Sequence, residues 1–83
     1  MTPEQLIARV DHILVTEFEL DPDQVVPTAN LRDDLELDSL DALDLIVLLE
    51  KEFGFKVAEE EIMLLDTVAE VHEYLAKRFA EQA

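Results

Sequence analysis

The run Asp38-Ser39-Leu40-Asp41 holds a primary hydroxyl between two carboxylates, with a leucine beside it. Three kinds of chemistry could use such a cluster. The first is nucleophilic attack by Ser39, which needs a base within hydrogen-bond reach. The only imidazoles are His12 and His72, both assigned to other helices. His12 is expected to face solvent, and His72 falls on the same helical face as Val68, Leu75 and Phe79, the position of a core-edge histidine. A catalytic triad is therefore excluded. The second is calcium binding. A loop opening at Asp34 offers acids at Asp34, Glu36 and Asp38, but places Ser39 where an EF-hand needs glycine and Leu45 where it needs glutamate. No specific metal site follows, and loose divalent-ion screening of an acidic surface stays open. The third is phosphate cradling by a glycine-rich loop, which a chain with Gly54 as its single glycine cannot build. From the residues alone, what remains is an ordinary first-turn serine.

The elements that must position this hydroxyl are helical. Thr2-Pro3-Glu4-Gln5 carries a capping box with proline in the first turn. Leu6, Ile7, Val10, Ile13, Leu14 and Phe18 follow at helical spacing and predict a helix to about Phe18, closed by Asp21-Pro22. A long, mostly irregular connection runs to Ser39, broken by Pro22, Pro27 and Asn30. Val25, Val26, Leu31 and Leu35 are expected to pin it to the core. Asp38 caps a second helix running to about Phe53, with Gly54 as a left-handed C-terminal cap. Glu59 to Met63 predicts a short helix, and the capping box Thr67-Val68-Ala69-Glu70 opens a last one reaching about Phe79. The expected architecture is all-α, three longer helices and one short one, in a single domain over residues 1–83.

A helical wheel separates two faces of the second helix. Ala42, Leu45, Ile46, Leu49 and Phe53 form the core stripe. Leu40, Asp44, Val47 and Lys51 lie opposite, flanked by Asp41 and Glu50. Two apolar residues thus stand inside an acidic rim, a layout suited to docking on a basic, partly apolar patch.

Composition narrows the partners. With 21 acids against 6 bases the formal charge is −15, which repels nucleic acid and anionic membranes and attracts basic protein surfaces. A hydrophobic content of 49% argues against disorder despite that charge. The longest apolar run, Leu45 to Leu49, is far too short to enter a bilayer as a span. There is no cysteine, so disulfides and thiolate metal sites are excluded. The opening residues lack the basic start and apolar stretch of a secretory leader, and a cytoplasmic monomer is expected.

Over nearly its whole length the chain resembles the acyl carrier protein family. The resemblance rests on Asp34-Leu35, Asp38-Ser39-Leu40-Asp41, Leu49-Glu50-Lys51-Glu52-Phe53, Glu59-Glu60-Glu61, Thr67-Val68 and Tyr74-Leu75. It implies a four-helix bundle with a 4′-phosphopantetheine arm, derived from coenzyme A, on Ser39 next to Asp38. It implies cargo held as a thioester on that arm, and no enzyme activity. It also makes the second helix the recognition helix for a phosphopantetheinyl transferase, ketosynthase, acyltransferase and other acyl-processing enzymes. A phosphodiester on Ser39 would meet the unpaired N–H groups and positive dipole end of its helix.

The apolar excess of Ile62-Met63-Leu64-Leu65 leads us to expect an acyl cavity bordered by Leu45, Ile46, Ile62 and Leu64. The alternative is that part of this run, Met63 and Leu64 in particular, is exposed for docking. The chain departs from the family's frequent Leu-Gly-Ala-Asp-Ser-Leu, having Glu36 and Leu37 for the small pair, and Lys51 where housekeeping carriers have an acid. Those departures favour a carrier dedicated to a specialised fatty acid, polyene or polyketide system over the housekeeping carrier. Two other readings stay open: an amino-acyl carrier, such as one for D-alanine, and a helical interaction or ion-binding module without a prosthetic group.

Overall fold

The computed structural model describes residues 1–82. Four helices make the fold: α1 (Pro3–Glu17), α2 (Ser39–Phe53), α3 (Glu59–Met63) and α4 (Val68–Gln82). Local chemistry sets most of their ends. The Thr2–Gln5 capping box starts α1, with the Thr2 hydroxyl accepting from the Gln5 N–H. The Gly54 cap, at φ 78°, closes α2 and sends its N–H to the Glu50 carbonyl at 2.8 Å. Thr67 and Glu70 exchange backbone-to-side-chain bonds at the start of α4. That helix runs three residues beyond the expected Phe79. No breaker follows Phe79, and Arg78 reaches Glu81 one turn on at 3.6 Å.

The core is one cluster in which every helix takes part. Leu6, Val10 and Leu14 of α1 meet Leu45 and Leu49 of α2, Ile62 of α3, and Val68, Val71 and Leu75 of α4, all buried. The α1–α2 connection contributes Val25, Ala29, Leu31 and Leu35. Val26, expected to pin it, is exposed, as is Ile7 on α1. Val26 lies between the 3₁₀ turn at Pro22–Gln24 and the next turn, its N–H bonded back to the Gln24 carbonyl. Ile7 lies one position past the buried Leu6, about 100° round the helix.

The connection is more ordered than its breakers suggest. The side chain of Asn30 accepts the N–H groups of Arg32 and Asp33, both at 2.9 Å, and the Asn30 backbone N–H donates to Asp34 Oδ2. Asn30 also bridges to Thr67, and the Leu31 N–H donates to the Asp66 carbonyl at 2.8 Å. The loop is thereby tied to the start of α4, which fixes its approach to Ser39.

Candidate functional site

Ser39 occupies the first position of α2, and its exposure follows from that place on the helix. A reciprocal capping box holds the helix start. The Asp41 N–H donates to Asp38 Oδ1 at 2.9 Å, and the Asp38 N–H donates to Asp41 Oδ2 at 3.1 Å. The Ala42 N–H takes the Asp38 carbonyl. The N–H groups of Ser39 and Leu40 are then the orphan donors of the first turn, pointing out at the serine.

Beside Ser39 a narrow apolar cleft of about 80 Å³ enters the bundle. Leu37, Ala42, Leu45, Ile62, Leu65 and Val71 form its walls, and Arg32, Asp38 and Ser39 line it with polar groups. Of the four expected cavity residues, Leu45 and Ile62 are here. Ile46 is buried but does not line the cleft. Leu64 is 78% exposed, and Leu65 takes the wall position expected for it. The cause is the way α3 ends. The N–H groups of Leu64 and Leu65 bond three residues back, to the carbonyls of Glu61 and Ile62. That tightening to 3₁₀ geometry eclipses Leu65 over Ile62 and turns Leu64 outward. Met63 lines the cleft and is half-buried.

On the outer face of α2, Leu40 is 71% and Val47 62% exposed, with Asp44 exposed between them. The other two acids assigned to this face are engaged. Asp41 is spent in the capping box. Glu50 is half-buried and accepts the Val57 N–H at 2.8 Å, so it anchors the α2–α3 connection. Nothing in the local sequence signals that bond, which spans seven residues and a turn. Leu43, 39% exposed, adds to the apolar content of this helix's surface. A larger, shallow depression lies beyond Asp41, Asp44 and Val47, where Glu17, Glu19 and Glu36 add to its acidity. It is open to solvent and Ser39 does not line it, so the smaller cleft, which Ser39 does line, is the one that bears on the serine.

The two histidines stand apart from Ser39. His12 is exposed, and His72, only 8% exposed, pairs its Nε2 with Asp11 Oδ1 at 2.7 Å, joining α4 to α1. At the other side of the cleft wall, the Tyr74 hydroxyl donates to Glu61 at 2.9 Å and Arg78 lies over the Phe55 ring, 5.6 Å from its centroid. These contacts hold α3 against α4. Burial, and then the hydrogen bond to Glu61, push the Tyr74 hydroxyl above its ordinary value.

An all-helical bundle that offers a serine at a capped helix start, with an apolar cleft beside it and neither histidine lining that cleft, has the build of a carrier domain. Residues 8–75 match the family described as the phosphopantetheine attachment site. The acyl carrier protein of Thermosynechococcus vestitus is 36% identical over 80 residues, covering 96% of this chain and 99% of that one. That of Bdellovibrio bacteriovorus is 39% identical, covering 84% and 90%. The solved acyl carrier protein from Enterococcus faecalis superposes with a TM-score of 0.76 at 31% identity, covering 93% of this chain and 98% of that one. The chain belongs to the acyl carrier protein family, whose members carry phosphopantetheine and are carriers, not enzymes. Membership implies dealings with a phosphopantetheinyl transferase and acyl-processing enzymes. Among the described residues no helix is long and apolar enough to cross a membrane.

Proposed function

We propose that Ser39 is the attachment point of the 4′-phosphopantetheine arm and that the chain carries acyl intermediates of fatty acid or related polyene- or polyketide-type biosynthesis as a cytoplasmic monomer. The observation that carries this reading is the exposed Ser39 at the capped start of α2, opening directly onto the apolar cleft. On attachment, Ser39 Oγ forms a bond to the phosphorus of coenzyme A that bears the pantetheine. The pyrophosphate bond breaks, adenosine 3′,5′-bisphosphate leaves, and the hydroxyl proton passes to a base of the transferase. This chain's residues fit the product. The N–H groups of Ser39 and Leu40 would hold the phosphodiester, and Asp38, with its carboxylate turned into the capping box, keeps the first turn rigid. The arm supplies a thiol on which cargo is held as a thioester.

Cargo is received by the cleft walls, Leu45 and Ile62 with Ala42, Leu65 and Val71. Partner enzymes with basic patches, ketosynthases and acyltransferases among them, are met by α2. Leu40 and Val47 anchor and Asp44 steers, while Asp41 and Glu50 shape the surface from within their hydrogen bonds. Glu36 favours a dedicated carrier. It holds a left-handed backbone at φ 56°, where glycine would be unstrained, so this chain keeps a carboxylate three residues before Ser39 at a backbone cost.

The test is treatment with coenzyme A and a broad phosphopantetheinyl transferase, followed by intact mass. The wild-type chain gains one phosphopantetheine and Ser39→Ala gains none. Thermal stability of the variant stays within about 0.5 kcal/mol, as for other surface changes. Modification of Ser39→Ala would move the attachment elsewhere, and a wild-type chain inert to several transferases would end the carrier reading.

A further inference from the structure

Arg32 is the one base among the residues that line the cleft at Ser39. Its surroundings are heavily acidic. Asp33, Asp34, Glu36 and Asp38 lie in the stretch that leads into α2, and Asp41 in its first turn. An anion placed on Ser39 enters that field, and two sources of positive potential are at hand: the orphan N–H groups of the first turn and the Arg32 guanidinium. The Arg32 backbone is fixed, since its N–H donates to Asn30 Oδ1 and the preceding residue donates to the Asp66 carbonyl. Its side chain is less constrained. Arg32 Nη2 donates to Asp66 Oδ1 at 2.5 Å, and the two side chains are 53% and 57% exposed. An ion pair so exposed is weak and exchanges with other anions readily. A planar guanidinium also matches a phosphodiester or carboxylate with two parallel donors.

We propose that Arg32 is a positioning residue that trades Asp66 for an anion carried on the Ser39 arm and so turns the arm toward the cleft. The proposal rests on the reading of Ser39 as the attachment point. The anion has two possible sources, the phosphodiester next to Ser39 or a carboxylate at the free end of the cargo. In either case Arg32 shares the cleft lining with Ser39 and the apolar walls, so an arm held by its guanidinium is kept at the cleft.

The experiment follows the side-chain Nε–Hε resonances of the arginines in ¹⁵N-labelled chain. It compares the unmodified protein with protein bearing the bare arm, an octanoyl arm and a succinyl arm, each checked by intact mass. Arg9 and Arg78, engaged with Glu52 and Glu61, are internal references. A shift of Arg32 alone on adding the bare arm, kept with both cargoes, assigns the phosphodiester. A shift seen only with the succinyl arm assigns the cargo carboxylate. If the phosphodiester is the anion, in Arg32→Gln the ³¹P resonance of the arm moves and the octanoyl contacts with Leu45 and Ile62 methyls are lost; if the cargo carboxylate is, the succinyl contacts are lost instead. Arg32→Lys partly reverses these changes, and Asp66→Asn, which frees the guanidinium, strengthens the contacts. A chain that gains the arm while Arg32 keeps its unmodified position with every cargo overturns the role of Arg32 and leaves the carrier reading standing. A chain that gains no arm overturns both. Where the bare arm shifts Arg32, an Arg32→Gln protein with wild-type ³¹P shift and wild-type octanoyl contacts also refutes the proposal; where only the succinyl arm shifts it, an Arg32→Gln protein with wild-type contacts between the succinyl methylenes and the Leu45 and Ile62 methyls does so.

Discussion

Replacing Glu50 separates a docking acid from a structural one. Glu50 lies in the last turn of α2, where the negative end of the helix dipole disfavours a carboxylate, in a chain already carrying a formal charge of −15. Removing an acid here should relieve repulsion and be neutral or mildly stabilising. The Val57 N–H bond reverses that expectation. It is a charge-assisted bond at 2.8 Å in a half-buried setting, and Val57 itself is buried. Hydrogen bonds to charged groups contribute about 1.5–3 kcal/mol, and partial solvent access puts this one at the low end. Subtracting a few tenths of a kcal/mol for the relieved repulsion, Glu50→Ala should cost about 1–1.5 kcal/mol. At about 4–8 °C per kcal/mol for a chain of this size, the thermal midpoint should fall by roughly 4–12 °C. Glu50→Gln keeps an acceptor and loses the charge, so its midpoint should stay within about 4 °C of wild type. The assay is circular-dichroism melting at fixed salt, paired with stopped-flow association to a phosphopantetheinyl transferase. Glu50→Ala should associate at close to the wild-type rate at a temperature where it is folded. An unchanged midpoint together with slowed, salt-sensitive association would refute the structural role and return Glu50 to the docking face.

Two further outcomes follow from the same surfaces. Leu40→Ala removes an exposed anchor whose burial in a complex contributes about 1.5–3 kcal/mol, so it should weaken transferase affinity more than Asp44→Asn, which removes an exposed charge worth about 0.2–1 kcal/mol. Asp44→Asn should act mainly on association rate and lose its effect as salt rises, and a silent Leu40→Ala would place docking on another surface. Tyr74 is the only tyrosine, so tyrosinate absorbance titrates it alone. Its midpoint should lie above the ordinary 10.0 in the folded chain. With the folded value raised, the neutral hydroxyl's contribution is complete below the unfolded value and is lost as pH climbs through the folded one. Wild-type stability should therefore decline above pH 10 more steeply than that of Tyr74→Phe, and parallel profiles would remove the Tyr74 hydroxyl, raised by burial and then by its bond to Glu61, as its source.

Within reach of a few residues, the chain's own pattern determined a good deal. Caps and periodicity act over three or four positions, and they placed Ser39 at the start of α2, Gly54 at its end, and Leu40 and Val47 opposite the buried Leu45 and Leu49. The capping boxes at Thr2 and Thr67 are local for the same reason. What the tertiary structure alone decided depends on where one element ends and the next begins. A switch from α to 3₁₀ spacing after Met63 exchanged Leu64 for Leu65 in the cleft wall, a rotation no fixed-period wheel can register. The bond from Val57 to Glu50 needed a particular turn after Gly54. Arg32 reaches Asp66 across 34 positions and His72 reaches Asp11 across 61, pairings that exist only because the shared core brings a loop to a turn and the last helix to the first. Local hydrogen bonding and amphipathic spacing are written along the chain. Which polar groups meet at the ends of its helices is set by packing, and that is where the environment of Ser39 was made.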